Sequence, residues 1–297
     1  MILKCQDSWV TPSESVYPEI DTRCATEVER EVQGIYMALF PHGSVEFVGT
    51  AFDWALACFE GRYPGFQPID ARYHDLEHTL QGTLCLARLL HGRQLSGVRP
   101  LLDQRTFELT LLAILLHDTG YLKVLGDNEG TGAKYTLIHV NRSAEFAAVL
   151  LAARGFSSSE ICAVQNMIRC TGVNVDLSAI PFQCDLEQTC GFALGTSDLL
   201  GQMAASDYVD KLPILFSEFA ESAAHSGGRM TTGGSFASAE DLMQKTPAFW
   251  SKYVLPKLDR DFLGVHHFLK FPYPDGPNEY VSRIEANIQQ LMGRMER

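Results

Sequence analysis

"LLAILLHDTG" (Leu111 to Gly120) sets six apolar residues directly before His117 and Asp118. Thr110 is the one polar residue among the eight before His117, so a helix here is apolar on every side and belongs in the centre of a bundle. Its carboxyl end then lies in the interior or at the floor of a cleft. An ionised Asp118 costs several kcal/mol there unless it is paired, and a bound cation is the strongest pairing. The alternative is an ordinary helix end at which Asp118 turns outward to water.

Two further segments carry polar residues within apolar helical patterns. In ARYHDLEHTL, His74 and His78 stand four residues apart, so on a helix they share one face and one ring can bind a metal while the other points at what the metal holds. Asp198 lies in GFALGTSDLLGQMAAS. The alternatives are a pair of surface histidines and a buried aspartate bonded to a neighbouring hydroxyl. Together His78, His117, Asp118 and Asp198 form a mixed nitrogen and oxygen set that suits Mg²⁺, Mn²⁺, iron or Zn²⁺.

The composition limits the classes of protein to consider. The chain has 297 residues, 46% of them hydrophobic, enough for a substantial core. A formal net charge of −12 argues against binding a nucleic acid polymer, whereas a divalent cation could still attract a small phosphorylated substrate. No apolar run approaches the ~20 residues that cross a bilayer. The eight cysteines form no CxxC pair, which indicates reduced thiols, and we expect a cytoplasmic protein without a membrane partner.

Nearly the whole chain repeats its apolar residues at helical spacing, and no strand or hairpin signal is convincing. Helices are predicted over residues 22–40, 44–62, 74–92, 105–119, 139–154, 158–171, 185–222, 238–262 and 278–294. The pattern over 185–222 is one kinked helix or two, with the kink predicted at Pro213. The segments TPSE (Thr11 to Glu14) and SSSE (Ser157 to Glu160) are typical of capping boxes. We therefore predict a single all-α domain over residues 1–297.

The order YHDLEH, HD and D along this chain resembles the HD-domain superfamily of metal-dependent phosphohydrolases. YHDLEHT, which contains His74 and His78, is similar to the YHNxxH motif of the cyclic nucleotide phosphodiesterases in that superfamily. The resemblance covers about 71–205 and implies an HD-domain helical bundle, here with additional N- and C-terminal helices. It also implies that His74 is the general acid, that the site holds one or two divalent ions and that Asp118 can bridge to the second ion. The metal ligands that it implies are His78, His117, Asp118 and Asp198.

The pattern departs from the phosphodiesterases at Asp75, where they carry asparagine, and at Tyr121, where their HDxxH motif has its second histidine. HVNRS and IRCT, which begin at His139 and Ile168, are similar to elements of other members. His139 is thus a candidate contact to a second ion or to phosphate; a histidine that begins a helix is the alternative. Further candidate phosphate contacts are Lys123 and Arg142, for which an ordinary solvated charge is the alternative.

This set of residues predicts hydrolysis of a phosphoester, and the expected substrates are a nucleotide or a cyclic nucleotide. Metal-activated water would attack phosphorus, and His74, with Asp75 or Glu77 to set its tautomer, would protonate the leaving alkoxide. The loop over 120–138 and aromatic residues near Trp250 are candidates for substrate selection. Two alternatives are an HD-type diiron oxygenase, for which one histidine is missing from the expected order, and a non-catalytic HD signalling or ligand-binding module. A homodimer through the C-terminal helices stays open.

Overall fold

The computed structural model describes residues 17–173, 175–227 and 236–296. Over these ranges the predicted all-α class is confirmed, since they contain ten α-helices, two isolated bridges and no strand. The helices are α1 Ala25–Leu39, α2 Phe47–Phe59, α3 Leu76–Leu95, α4 Gln104–Leu116, α5 His139–Ala152, α6 Ser158–Arg169, α7 Asp185–Met203, α8 Tyr208–His225, α9 Ala239–Phe249 and α10 Glu279–Met295. None of them is both long and apolar enough to span a membrane. The predicted capping box at Thr11 lies outside the described residues.

The pattern over 185–222 folds as two helices, and the break is not at the proline. The chain leaves α7 after Met203 and enters α8 at Tyr208, whereas Pro213 lies inside α8. The small and polar residues between the two helices, among them Ser206 and Asp207, favour a turn. The division between the two helices therefore precedes the proline. Pro213 is the sixth residue of α8 and leaves that helix without one backbone hydrogen bond, so a bend of α8 at this residue stays a prediction.

Polar side chains fix the starts of the helices that matter for the site. The Asp75 carboxylate accepts a hydrogen bond from the backbone N–H of His78 at 2.9 Å and so caps α3. Asp103 caps α4 in the same way through Thr106. Ser157 and Glu160 form the predicted capping box of α6.

Helix α4 lies in the middle of the bundle, against α2, α3, α6 and α7. Every residue from Phe107 to Leu116 is buried, which confirms that the apolar helix is enclosed. Its last turn therefore delivers His117 and Asp118 to the interior, and both side chains are almost fully buried. The main hydrophobic core around α4 extends from Val28 in α1 to Leu291 in α10.

Two glycines let α3 and α7 approach backbone to backbone. A Cβ atom on Gly201 would lie 2.7 Å from the backbone of Gln81, and one on Gly82 would lie 3.8 Å from the Cα atom of Asp198. Larger residues at these positions would separate the helices. His78 stands one turn before Gly82, and Asp198 about one turn before Gly201, so this contact brings the imidazole and the carboxylate together.

Candidate metal centre

Four side chains from three segments of the chain converge at the end of α4. The His78 Nε2 atom lies 3.2 Å from Asp118 Oδ2 and 3.3 Å from Asp198 Oδ1. His117 Nε2 lies 3.3 Å and 3.6 Å from the same two oxygens. With metal–ligand bonds of about 2.1 Å, neighbouring ligands are about 3.0 Å apart around an octahedral ion and about 3.4 Å around a tetrahedral one. The spacing of these four donors thus matches the edges of a coordination shell.

Three of the four converging atoms lack hydrogen-bond partners among the described residues, although they are buried; the fourth, Asp198 Oδ1, accepts a hydrogen bond from Gln202 at 3.2 Å. His78 Nε2, His117 Nε2 and Asp118 Oδ2 belong to this group, and each of the three side chains is at most 3% exposed. Buried polar atoms without a partner are rare in folded proteins because each costs desolvation free energy. The donor atoms of His78, His117 and Asp118 also lie within 4.8 Å of one another. A shared cation would satisfy all of them.

The tautomer of His117 is fixed by the end of its own helix. Its Nδ1 atom lies 2.6 Å from the carbonyl oxygen of Ile114, which can only accept, so Nδ1 carries the hydrogen. Nε2 then presents a lone pair to Asp118 and Asp198. An imidazole held through Nδ1 by an oxygen acceptor is the usual arrangement of a metal-binding histidine.

The electrostatics of the cluster favour a positive charge at its centre. Burial raises the pKa of Asp118, but the imidazoles of His117 and His78 outweigh it and hold that pKa well below its usual range. Burial also raises the pKa of Asp198, and again the two imidazoles bring it below the usual value. Conversely, burial lowers the pKa of His78, while both carboxylates raise it to about 10. The cluster therefore holds two carboxylates ionised and attracts a proton or a cation.

The second oxygen of Asp118 faces a different histidine. Asp118 Oδ1 lies 3.7 Å from Nε2 of His139, whose Nδ1 lies 2.6 Å from the carbonyl oxygen of Thr136. Gly120 makes this approach possible, since its N–H donates to the Ser143 hydroxyl at 2.8 Å and a Cβ atom on it would lie 2.0 Å from the His139 carbonyl oxygen. Asp118 thus presents one oxygen to His78 and His117 and the other to His139.

His74 lies beside the cluster and pairs with a residue that the sequence analysis did not identify. Its Nδ1 atom lies 2.6 Å from Oε2 of Glu218 in α8, and the other Glu218 oxygen accepts the Tyr73 backbone N–H at 2.6 Å. Burial raises the pKa of Glu218, but the His74 imidazole and the hydrogen bonds lower it overall. Glu218 therefore stays ionised and can hold a proton on His74 Nδ1, which leaves Nε2 free to act.

Asp75 and Glu77, which were expected from the sequence to set the tautomer of His74, contact other groups, so that expectation is corrected. Asp75 caps α3, as described above, and Glu77 pairs with Lys211 at 2.8 Å. The ring of Tyr121 instead stacks on His74 and on His139, with centroids 4.8 Å apart in both contacts. Tyr121 thus lies as a flat spacer between two imidazoles.

Of the three predicted phosphate contacts, Lys123 and Arg142 bind groups of the protein that lie outside the cluster. The Lys123 ammonium lies 2.8 Å from Asp70 Oδ2 and is buried. The Arg142 guanidinium donates to the carbonyl oxygens of Gly120 and Leu122 at 2.7 and 2.6 Å. Arg142 thereby fastens the turn that carries Asp118, a positioning role. Only His139 of the three candidates reaches the cluster.

The selectivity candidates of the C-terminal half lie in mixed surroundings. Trp250 is buried in the main core, whereas Phe249 and Tyr253 stack on each other with centroids 5.0 Å apart. The Tyr253 hydroxyl donates to the carbonyl oxygen of Val173. These contacts hold the helical segment that follows α9 against the bundle.

Comparison with known proteins gives a family without a described activity. Residues 65–268 match the family model described as Npun_R2479-like. This span contains the four converging side chains, His139, and the pair of His74 with Glu218. No curated protein matches the chain.

Proposed function

The chain belongs to the Npun_R2479-like family, and we propose that it is a metal-dependent hydrolase of small phosphoesters. The observation that carries this proposal is the convergence of unpartnered donor atoms from His78, His117 and Asp118 beside a histidine that is paired with a buried glutamate. A cation site and an adjacent proton donor are the two parts that phosphoester hydrolysis requires. The resemblance of the YHDLEH and HD segments to HD-domain phosphohydrolases supports the same reaction.

The proposed ligands of a first divalent ion are His78, His117, Asp118 and Asp198. Bound there, the ion would lower the pKa of a coordinated water and neutralise phosphoryl oxygens. Asp118 Oδ1 and His139 offer donors for a second ion, because they face each other on the other side of the same carboxylate. Mg²⁺, Mn²⁺, iron and Zn²⁺ all accept such a mixture of imidazole and carboxylate ligands.

His74 is proposed to protonate the leaving oxygen of the substrate. Glu218 binds its Nδ1 atom and so leaves Nε2 as the nitrogen that can carry the transferred proton. The charge of Glu218 stabilises the imidazolium that exists before the proton is transferred. Tyr121, stacked on the His74 ring, limits its rotation and keeps water from that face. Such an acid assists substrates whose leaving group requires a proton, such as the alkoxide of a sugar.

The charges around the site favour two ions when the substrate is a phosphoester. Asp118, Asp198 and Glu218 bring three negative charges. Lys123 and Lys211 are already paired with carboxylates. One divalent ion leaves this set with one negative charge, whereas two ions leave one positive charge to attract a phosphate anion. We favour a nucleotide or a cyclic nucleotide as the substrate. The metal ions, and not basic side chains, would provide most of the attraction for its phosphate.

A second candidate is the HD-type diiron oxygenase. Its support is that four imidazoles lie close to one another, with ring centroids 5.3 Å apart for His74 and His78, 5.6 Å for His78 and His117, and 6.0 Å for His74 and His139. Nitrogen-rich sets suit iron. We rank it below hydrolysis because His74 Nδ1 is bound to a carboxylate and its ring is placed to transfer a proton.

The test combines metal analysis with a panel of phosphomonoesters and phosphodiesters in Mn²⁺ or Mg²⁺. We expect bound divalent metal and hydrolysis in the unmodified chain, and loss of both in Asp198→Asn. Asp185→Asn is the matched control, since Asp185 is an exposed aspartate in the first turn of the same helix. Two irons without hydrolysis would favour the oxygenase. No metal and no hydrolysis under any condition would refute the proposal and leave the non-catalytic HD module.

A further inference from the structure

We propose that Asp259, His266 and His267 form a second metal site, one that takes a transition-metal ion such as Zn²⁺ and fastens the C-terminal turn to the bundle. The Asp259 Oδ1 atom lies 3.6 Å from His266 Nε2 and 3.9 Å from His267 Nε2. All three donor atoms lie within 4.8 Å of one another. This group is separate from the site of the proposed hydrolysis and does not depend on it.

The backbone turns back sharply to bring these residues together. The helical segment that continues α9 ends at Asp261, and the next residues include Leu263 with φ of 53° and Gly264 with φ of 69°. Phe262 and Gly264 donate their N–H groups to the carbonyl oxygens of Lys257 and Leu258, which closes the turn. A left-handed conformation is unfavourable for leucine, and Leu263 is exposed, so its side chain gains little by it. Strain of this kind often marks a functional turn.

His266 is the anchor of the group because its ring is buried. Its ring is only 6% exposed, its Nδ1 atom has no hydrogen-bond partner among the described residues, and its Nε2 atom faces Asp259. The amide of Asn278 donates to the His266 carbonyl oxygen at 2.9 Å and fixes the backbone.

The donor set selects among metals. Two imidazole nitrogens and one carboxylate oxygen suit Zn²⁺, whereas Mg²⁺ prefers oxygen ligands and retains its waters. Ligands of tetrahedral Zn²⁺ lie about 3.4 Å apart, which is somewhat less than the 3.6 and 3.9 Å between Asp259 Oδ1 and the two Nε2 atoms, and the exposed side chains of Asp259 and His267 can move to close these distances. Water would complete the shell, since both side chains are about half exposed.

The place of this group in the fold gives the ion a structural role. His266 and His267 belong to the 3₁₀ turn Val265–Leu269, which packs on both α3 and α7. These two helices carry His78 and Asp198. An ion held by Asp259 would tie the end of the preceding helical segment to this turn and stabilise the face of the bundle behind the first site.

The experiment counts Zn²⁺ by competition with a chromophoric chelator. The test variant is Asp259→Asn with His267→Gln, two exposed positions, and the matched control is Asp275→Asn with His42→Gln, which makes the same chemical changes at exposed positions elsewhere. We expect the unmodified chain and the control to bind one more Zn²⁺ per chain than the test variant. Binding of this extra Zn²⁺ should raise the thermal midpoint of the unmodified chain and of the control, but not that of the test variant.

A ligand-bearing replacement separates coordination from structure. His267→Cys should retain Zn²⁺ affinity within about tenfold, because a thiolate is also a zinc ligand, whereas His267→Gln should lose at least tenfold. The proposal is overturned if the test variant, folded by circular dichroism, binds as many Zn²⁺ ions with the same affinity as the control. It is also overturned if His267→Cys is as weak as His267→Gln.

Discussion

Replacing Glu218 with glutamine removes one charge at nearly constant size and tests how His74 is prepared. The carboxylate binds two groups, the Tyr73 backbone N–H and His74 Nδ1, both at 2.6 Å. A carboxamide has one acceptor oxygen, and the backbone N–H can only donate, so the oxygen must face Tyr73. The amide NH₂ then faces His74 Nδ1, which has to present a lone pair. His74 becomes a neutral imidazole and a poorer acid.

The expected loss follows from the size of general acid catalysis. We expect kcat/KM to fall by a factor on the order of 10²–10⁴ for a phosphodiester with an alkoxide leaving group. An activated aryl ester leaves as a stable phenolate without a proton, so its rate should fall by less than about tenfold. Because Glu218 is buried and its hydrogen bonds are charged, the free energy of unfolding should also fall by about 2 kcal/mol.

The assay compares both esters in the unmodified chain, Glu218→Gln and Glu221→Gln. Glu221 lies one turn further along α8 and accepts the Thr131 hydroxyl at 2.7 Å without contacting His74, so it is the matched control. The control should keep the ratio of the two rates. Equal losses on both esters in Glu218→Gln, or an unchanged rate on the alkoxide ester, would refute the assigned role of the pair.

Three other predictions concern stability. In chelator-stripped protein, burial lowers the pKa of His78, but the two carboxylates raise it from 6.5 to about 10. The protonated His78 therefore stabilises the fold fully below pH 6.5, and this stabilisation is lost as the pH rises towards 10. Urea denaturation should show the loss without Mn²⁺ but not with it. Gly201→Ala should lower the thermal midpoint, since its Cβ atom would meet the Gln81 backbone, whereas Gly34→Ala, with open space around it, should stabilise by about 0.5–1 kcal/mol. Ser157→Ala should cost about 1 kcal/mol in chemical denaturation because it removes a capping box; an unchanged midpoint would contradict that.

The parts of the fold predicted from the sequence are those that local physics decides. An apolar run such as Leu111 to Leu116 can only be buried on all sides, so the interior end of α4 followed directly. The prediction that His74 and His78 share one helix face was wrong, because α3 begins at Leu76; their rings still lie 5.3 Å apart, since His74 stands just before that helix. The approach of Asp198 depended on glycine contacts between α3 and α7, which no periodicity reveals.

Glu218 was missed because its partner is 144 residues away in the sequence. On its own helix it looks like an ordinary surface glutamate. Its helical spacing could have indicated it, since Glu218 follows Leu212 and Leu215 at intervals of three residues on the inner face of α8. A carboxylate on the buried face of a helix needs a partner. The sequence could therefore have indicated Glu218, but not that its partner is His74.

The two basic candidates failed to reach the cluster for a similar reason. The sequence shows that Lys123 and Arg142 follow the HD segment. It does not show which hydrogen-bond acceptors of the folded chain lie close enough to these two side chains to take their charges from a substrate. In the fold, Asp70 takes the lysine, and the carbonyl oxygens of Gly120 and Leu122 take the arginine. Buried charges pair with whatever the tertiary structure supplies.

Crystals soaked in Mn²⁺ and measured for anomalous scattering give the most direct test of the proposed cation site. We predict a strong anomalous peak about 2.0–2.3 Å from His78 Nε2, His117 Nε2 and an oxygen of Asp118, with Asp198 in the same shell. In Asp118→Asn crystals the peak should be lost. A soaked crystal with ordered side chains and no peak among these four residues would contradict the account.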